Sequence, residues 1–165
     1  MKALNDPKTA ALLLALASVS ILGTVFALQY IGGLPPCQMC IWQRWPYAAL
    51  ILLGLFGWFG QPRLALALAL PVLLLSVGLG GYHFAVEQGW VALPAGCAAG
   101  GEATSVEELR ALLKAAPPSC DQVGFTFLGL SLAAWNIVGS LVLAGLVLLV
   151  LGGAKAAQKA KTVRA

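Results

Sequence analysis

Long apolar runs without charge alternate with short polar segments along the chain. Three runs, residues 10–30, 64–86 and 127–151, contain no Asp, Glu, Lys or Arg. A fourth, residues 45–60, reaches the ~20 residues that a helix needs to cross a membrane only if the helix begins near residue 41. Because backbone groups in lipid must be bonded within their own segment, each run predicts a helix rather than an open strand. The pattern predicts an all-α fold, an integral membrane four-helix bundle.

The composition supports a membrane protein and excludes two other classes. Of the 165 residues, 60% are apolar and only 10% are charged, and the mean hydropathy is +0.89. A water-soluble monomer of this size has too little interior to bury so much apolar surface. Intrinsic disorder requires low hydrophobicity and high net charge, which this chain lacks. The length predicts one domain over residues 1–165.

The basic residues predict the orientation of the bundle. With both termini on one side, that side holds seven of the ten Lys and Arg residues. The positive-inside rule makes this side cytoplasmic, so a net charge of +4 indicates membrane topology rather than nucleic-acid binding. The loops at about residues 31–40 and 87–126 then face the periplasm of a bacterial inner membrane. The first run is interpreted as an uncleaved helix, since three further spans follow it.

Local patterns predict finer features. A capping box at Ser105-Val106-Glu107-Glu108 predicts a short amphipathic helix over about residues 106–115 of the second loop. Asn136, within the fourth span, is interpreted as a helix–helix hydrogen bond. The stripe formed by Gly54, Gly57 and Gly60 predicts close packing of the second span against a neighbour.

The chain has four cysteines, and all of them fall in the outward loops. Cys37-Gln38-Met39-Cys40 is a C-x-x-C pair, which leaves Cys97 and Cys120 as the second pair. Four cysteines allow three pairings, so the resting connectivity stays open. The periplasm is oxidising and permits disulfides. The segregation of the cysteines predicts that their chemistry takes place on one side of the membrane.

Three functions compete for these cysteines. Two stapling disulfides explain Cys97 and Cys120, but a bridge within C-x-x-C closes too small a loop to remove much chain entropy. A four-thiolate zinc site is a second alternative. A redox relay is favoured, because C-x-x-C is the spacing of exchangeable disulfides. The prediction is therefore that all four cysteines are catalytic and that none binds a metal.

The surroundings of Cys40 favour the relay. Cys40 falls at or just before the predicted start of the second span, where a helix N-terminus stabilises a thiolate. Arg44 follows on the same helical face, either as an interface arginine that reaches for water or as a donor to a quinone carbonyl. A quinone is the expected electron acceptor because a thiolate at the lipid boundary can reach it. No nucleotide-binding motif is present, and His83, the single histidine, excludes a bis-histidine haem.

The motifs of the chain resemble those of the disulfide bond formation protein B family, DsbB. The resemblance covers nearly the whole chain and rests on C-x-x-C-x-x-x-R at the head of the second span and two cysteines in the second outer loop. It also includes the following segments: Cys37-Gln38-Met39-Cys40-Ile41-Trp42-Gln43-Arg44-Trp45-Pro46-Tyr47, Phe127-Leu128-Gly129-Leu130-Ser131 and Trp135-Asn136.

The resemblance implies a thiol:quinone oxidoreductase that reoxidises a periplasmic thioredoxin-like partner of the DsbA type. Electrons would pass to ubiquinone or menaquinone. Cys97 would form the mixed disulfide with the partner, Cys120 would exchange with Cys37, and Cys40 would meet the quinone. Arg44 would contact the quinone ring. Some family members carry a Glu-His pair at the outer end of the third span, and the candidates for that quinone contact in this chain are His83 and Gln88.

Two rival functions remain from the sequence. A relative of vitamin K epoxide reductase also combines four helices, C-x-x-C and a quinone, but its quinone-proximal C-x-x-C lies near the fourth span. In this chain the C-x-x-C precedes the second span. The other rival is a non-catalytic four-span protein with structural disulfides.

Overall fold

The computed structural model describes residues 6–97, 105–107, 110 and 118–163, with side chains up to residue 153. Within these ranges, four helical spans are long and apolar enough to cross a membrane, which confirms the predicted bundle. The elements, in chain order, are α1 (Pro7–Tyr30), α2 (Gln38–Trp42), α3 (Arg44–Phe59), α4 (Pro62–Glu87), β1 (Thr126–Phe127), β2 (Leu130–Ser131) and α5 (Leu132–Val163). Helices α2 and α3 together form the second crossing.

Polar and proline residues fix where the first and third crossings begin. Asp6 caps α1 by accepting a hydrogen bond from the Thr9 amide at 3.0 Å, and Pro7 opens the helix. Helix α4 begins at Pro62, three residues after α3 ends at Phe59. Proline is well tolerated at the first helical position because that N–H has no partner within the helix. The turn between α3 and α4 is therefore short, and the two helices run antiparallel.

The second crossing begins earlier than predicted. Helix α2 starts at Gln38, whereas the sequence pattern placed the start near residue 41. The reason is the cap: the Cys37 sulfur accepts a hydrogen bond from the Cys40 amide at 3.2 Å. Cys40 therefore lies inside the first turn rather than before it.

The fourth crossing begins later than predicted. Residues 126–131, expected to be partly helical, instead form an antiparallel hairpin in which Thr126 pairs with Ser131. Its two turn residues, Leu128 and Gly129, have φ of 51° and 79°. Positive φ at both positions is typical of the turn whose twist suits a two-residue hairpin. The hairpin ends at Ser131, whose hydroxyl accepts from the Ala134 amide at 3.2 Å and so caps α5.

The bundle is closely packed where α1, α3 and α4 meet. A Cβ on Gly54 would lie 2.6 Å from the Ala11 carbonyl oxygen, and one on Gly57 would lie 2.7 Å from the Ala11 Cβ. Close packing at Gly54 and Gly57 confirms the prediction from the glycine stripe. Gly60 instead ends α3 as its C-cap.

The order of contacts around the bundle leaves one side open. Helix α1 packs mainly on α3, α3 on α4, and α4 on α5, while α1 and α5 touch much less. Large apolar side chains on the outside, such as Leu52, Leu74 and Leu149, are exposed in the bundle and face the lipid. The second loop is described only in part. Of the predicted helix over residues 106–115, Val106, Glu107 and Arg110 are helical, and the other positions lie outside the described residues.

The packing at Gly54 makes a prediction with an internal control. Gly54→Ala should destabilise the bundle because the added Cβ overlaps backbone of α1. Gly78→Ala should be neutral or stabilising, since nothing lies within 4 Å of its Cβ position and alanine favours helix by ~1 kcal/mol over glycine. Thermal unfolding in detergent measures both variants. Equal midpoints for the two would contradict the close contact of α1 and α3.

Candidate active site

One end of the bundle carries all four cysteines. Helix α1 ends there, α2 begins there, α4 ends there and α5 begins there, so we call it the cysteine end. Gly33, with φ of 66°, turns the chain after α1, and the Pro35-Pro36 pair then leads it stiffly to Cys37. The first cysteine pair thus lies on a short, constrained path between two helices.

The first pair is held at the start of α2. The sulfurs of Cys37 and Cys40 are 2.8 Å apart. Cys37 is buried, whereas Cys40 is half-buried. Because the Cys37 sulfur already accepts from the Cys40 amide, local backbone geometry brings the two side chains to the same place.

His83 of α4 lies against this pair. Its Nε2 is 3.6 Å from the Cys37 sulfur, and its Nδ1 is 2.7 Å from Nε2 of Gln43. An amide nitrogen donates, so Nδ1 accepts, and a neutral imidazole then carries its proton on Nε2, facing the sulfur. The histidine is only 3% exposed. Its orientation makes it a hydrogen-bond donor to Cys37.

The buried carboxylate of Glu87 lies near the same ring nitrogen of His83 that faces the Cys37 sulfur. Oε1 of Glu87 is 3.7 Å from His83 Nε2, one helical turn along α4. The Ser131 hydroxyl donates to Oε2 of Glu87 at 2.6 Å. The residue that caps α5 therefore also fixes the carboxylate, and this bond joins the ends of α4 and α5.

The second pair reaches the site from the long loop. The Cys120 amide donates to the Cys97 carbonyl at 3.0 Å, and the Cys97 amide donates to the Pro94 carbonyl at 3.0 Å. Cys97 and Cys120 are 2% and 0% exposed. Together with Cys37, Met39 and Val86 they form one buried cluster, and Cys40 packs against it. Four cysteines that span more than 80 positions of the sequence thus meet in one place.

The surroundings of Cys37 and Cys97 keep both thiols protonated when they are reduced. The neighbouring Cys40 thiol and burial raise the pKa of Cys37 to about 12, although the His83 bond opposes the shift. Burial and the Cys120 thiol likewise raise the pKa of Cys97 to about 12. Neither thiol becomes a nucleophile at neutral pH without a change in its surroundings.

Two cavities adjoin the cluster. The larger, about 620 Å³, lies between α1, α3 and α5 and has mostly apolar walls. Cys40, Gln43, Arg44 and His83 form its polar end. The smaller, about 170 Å³, lies beneath the second loop and is lined by Cys37, Cys40, His83 and Glu87 among others. Cys40 and His83 line both cavities, so they lie between the space under the loop and the space among the helices.

Arg44 lies at the mouth of the larger cavity. Its guanidinium donates to the Gln29 side-chain oxygen at 2.8 Å and lies 4.8 Å from the ring centroid of Phe26. Both partners belong to α1. Arg44, a residue of α3, is thus tied to α1. Its guanidinium has further N–H groups besides the one bonded to Gln29.

Comparisons with known proteins agree with this geometry. The family described as Disulfide bond formation protein DsbB matches residues 7–150. The chain belongs to the DsbB family. A DsbB-family membrane protein takes part in disulfide bond formation, and all four cysteines of this chain lie in the site described above.

Several similar proteins carry the name Disulfide bond formation protein B. The protein from Albidiferax ferrireducens is 35% identical, with 88% of both chains covered. The protein from Aromatoleum aromaticum is 33% identical over 79% of this chain and 84% of its own. The protein from an Azoarcus species is 34% identical over 67% of this chain and 72% of its own. No solved structure matches the chain.

Most residues predicted from the sequence meet at this DsbB-family site, and one does not. The four cysteines, Arg44 and His83 are all at the cysteine end. Gln88 is exposed at the C-cap of α4 and is not among the described residues lining either cavity. Gln43 and Glu87 also contribute to the site, but neither was predicted as a site residue from the sequence. Glu87 had a signal, since it lies four residues after His83 and so shares its helix face.

The site also has the ligands for a metal, though not the four thiolates considered from the sequence. Ligand atoms of Cys37, Cys40 and His83 lie within 4.8 Å of one another. Two sulfurs and an imidazole suit a soft ion such as Zn²⁺ when the cysteines are reduced.

The raised pKa values predict how the stability of the reduced protein depends on pH. An unfolded thiol ionises near its ordinary pKa of 9.0, whereas Cys37 and Cys97 keep their protons in the folded state to about 12. The free energy of unfolding is therefore intact below pH 9 and falls as the pH rises from 9 toward 12. Thermal unfolding of the reduced protein in detergent over this range measures the loss.

The oxidised protein is the control, because sulfurs in disulfides carry no titrating proton. Its midpoint should fall less than that of the reduced protein above pH 9. Parallel curves for the two forms would show that these thiols do not have raised pKa values.

Proposed function

We propose that the chain is a protein-dithiol:quinone oxidoreductase. It reoxidises a soluble thioredoxin-like oxidase of the DsbA type and passes the electron pair to a membrane quinone, either ubiquinone or menaquinone. The observation that carries the proposal is the position of Cys40, which packs against the buried cluster that contains the other three cysteines and also lines the larger cavity. One sulfur thus faces both an electron source and a lipid-accessible space.

The first half of the relay uses thiol–disulfide exchange. A thiolate of the reduced partner attacks the Cys97 sulfur and breaks a Cys97–Cys120 disulfide, so that Cys120 leaves as a thiolate. Cys120 then attacks Cys37, breaks a Cys37–Cys40 disulfide and releases Cys40 as a thiolate. The location of all four cysteines in or against one buried cluster supports this route, since each attack brings two sulfurs together.

The second half restores both pairs. The second thiolate of the partner resolves the mixed disulfide, and the partner leaves oxidised. The freed Cys97 attacks Cys120, which remakes the outer disulfide and releases Cys37. Cys37 and Cys40 are then both reduced and hold the two electrons. The disulfide between them reforms when these electrons leave through Cys40.

Burial of Cys97 sets a condition on the first step. The residue is 2% exposed and its amide is bonded to the Pro94 carbonyl. A docking partner therefore has to displace the turn at Gly96, where φ of 84° marks a conformation that suits glycine. Partner binding, rather than ionisation of Cys97, would then open the relay.

A quinone fits the larger cavity by chemistry and by size. The walls are apolar, the volume is about 620 Å³, and the polar end carries Cys40 and Arg44. When bound there, a quinone supplies a two-electron oxidant beside Cys40. The remaining donors of Arg44, which Gln29 and Phe26 hold in place, face this end and suit a carbonyl oxygen. His83 positions Cys37 through its Nε2 proton.

The proposed orientation puts the cysteine end in the periplasm. The start of α1, the end of α5 and the short α3–α4 turn lie at the opposite end, and seven of the ten basic residues belong to these segments or adjoin them in the sequence. The positive-inside rule makes that opposite end cytoplasmic. We propose that the protein resides in the bacterial inner membrane, where soluble partners oxidise exported proteins.

The test is loss of quinone absorbance when reduced DsbA-type partner is added to the purified protein. Wild-type protein should consume one quinone per dithiol. Cys40→Ser should abolish turnover, because no sulfur remains at the larger cavity. Cys97→Ser should abolish turnover with the protein partner but keep it with a small dithiol, which can reach the inner pair directly.

The two variants act as controls for each other. Continued turnover by Cys40→Ser would contradict the exit through Cys40. Loss of small-dithiol turnover in Cys97→Ser would contradict separate outer and inner pairs. Cysteines that resist both dithiols until the protein is unfolded would instead establish structural disulfides.

A further inference from the structure

A second polar group lies deeper in the bundle, where α3, α4 and α5 meet. It consists of Tyr47, Ser76, Asn136 and Ser140, and we call it the Tyr47 cluster. The Tyr47 hydroxyl donates to Asn136 Oδ1 at 2.6 Å, and the Ser76 hydroxyl donates to the same oxygen at 3.2 Å. Ser140 donates to the Ser76 hydroxyl at 2.9 Å. These bonds confirm Asn136 as a helix–helix contact.

Two members of the cluster also face the larger cavity. Tyr47 and Asn136 line it, whereas Ser76 and Ser140 are 0% exposed and do not appear among its described lining residues. Ser20 and Thr24 of α1 line it too, but their hydroxyls are bonded to backbone carbonyls one turn earlier. Apart from the polar end at Cys40, the Tyr47 cluster is thus the polar feature of an otherwise apolar wall.

The position of Tyr47 suits the far end of a bound ring. Tyr47 follows Cys40 by seven residues, about 10 Å along a helix axis at ~1.5 Å per residue. Helical side chains lean toward the N-terminus, so its ring leans back toward the cysteine end. A 1,4-quinone carries an acceptor oxygen at each end of its ring. The cavity therefore has hydrogen-bond donors both near Cys40, at Arg44, and about 10 Å further along, at Tyr47.

The cluster can release the Tyr47 proton without leaving a buried acceptor unpaired. The hydroxyls of Tyr47 and Ser140 are 3.0 Å apart, and either can donate. If the Ser140 hydroxyl turns its proton from Ser76 to Tyr47, the Tyr47 proton is free to point into the cavity, and the Ser76 hydroxyl remains bonded as a donor to Asn136. Asn136 Oδ1 keeps its bond from Ser76, and the Asn136 amide keeps its bond to the Ser76 carbonyl at 3.1 Å.

We propose that Tyr47 is a quinone-binding residue that donates a hydrogen bond to the carbonyl oxygen remote from Cys40. Ser140 then donates to the Tyr47 oxygen, while Asn136 keeps its two bonds to Ser76. This inference rests on the proposed function, since it names a contact of the same ligand in the same cavity. It gives the larger cavity a preference for ligands with acceptor oxygens at both ends over apolar molecules of similar size.

The test removes one hydroxyl and keeps the ring. Tyr47→Phe should weaken the binding of a short-chain 1,4-quinone to the oxidised protein three- to tenfold, as expected for one lost hydrogen bond. Quenching of tryptophan fluorescence measures this without turnover, because Trp135 lines the cavity. The KM for quinone should rise by the same factor, while the KM for the dithiol partner stays unchanged.

Tyr82→Phe is the matched control, because Tyr82 is exposed on α4 and lies outside the described lining of the cavity. It should bind quinone like the wild type. Unchanged quinone binding in Tyr47→Phe, with only a lower unfolding midpoint, would reduce Tyr47 to a helix–helix contact and overturn the inference. A wild-type protein that neither binds nor reduces quinone would instead overturn the proposed function.

Discussion

The contact between the Cys97–Cys120 segment and the Cys37–Cys40 turn is the interaction on which the proposed relay depends. Exchange between disulfides brings sulfurs into contact, and here three distant parts of the sequence gather the cysteines in one buried cluster. The proline pair fixes the approach to Cys37, His83 meets its sulfur from α4, and the Cys120 amide ties the second loop together. Each tie comes from a different element, so the cluster exists only in the assembled bundle.

The membrane explains why the bundle is tight at one end and open at the other. Glycine and alanine bring α1, α3 and α4 into close contact away from the cysteines, where the buried core lies. In lipid such close contacts replace the hydrophobic driving force that water would provide. At the cysteine end α1 and α5 separate, and the larger cavity fills the gap. The same four helices thus provide both a rigid base and a lipid-facing opening.

The sequence predicted the spans because hydropathy depends on composition alone, but it missed features set by specific atoms. The start of α2 depends on a sulfur acting as a helix cap, which a preference for Ser, Thr, Asp or Asn at that position does not reveal. The hairpin before α5 interrupts an apolar run, and only the positive φ of Leu128 and Gly129 distinguishes it from helix.

The site was predicted best where residues are close in sequence. Cys40 and Arg44 lie one turn apart, so their common face follows from helical spacing. Gln43 and His83 are forty positions apart, and their 2.7 Å contact depends on how α3 packs on α4. Gln88 was chosen by analogy of position, but it lies just beyond the end of α4, where the helix no longer points side chains into the site.

The most direct measurement of the relay is the disulfide connectivity after one equivalent of reduced partner is added in the absence of quinone. Mass spectrometry of alkylated, digested protein identifies each bridge. The account predicts an intact Cys97–Cys120 bridge beside reduced Cys37 and Cys40, because the two electrons cross to the inner pair but cannot leave through Cys40 without quinone. A protein that shows reduced Cys97 and Cys120 beside an intact Cys37–Cys40 bridge would contradict electron transfer between the two pairs.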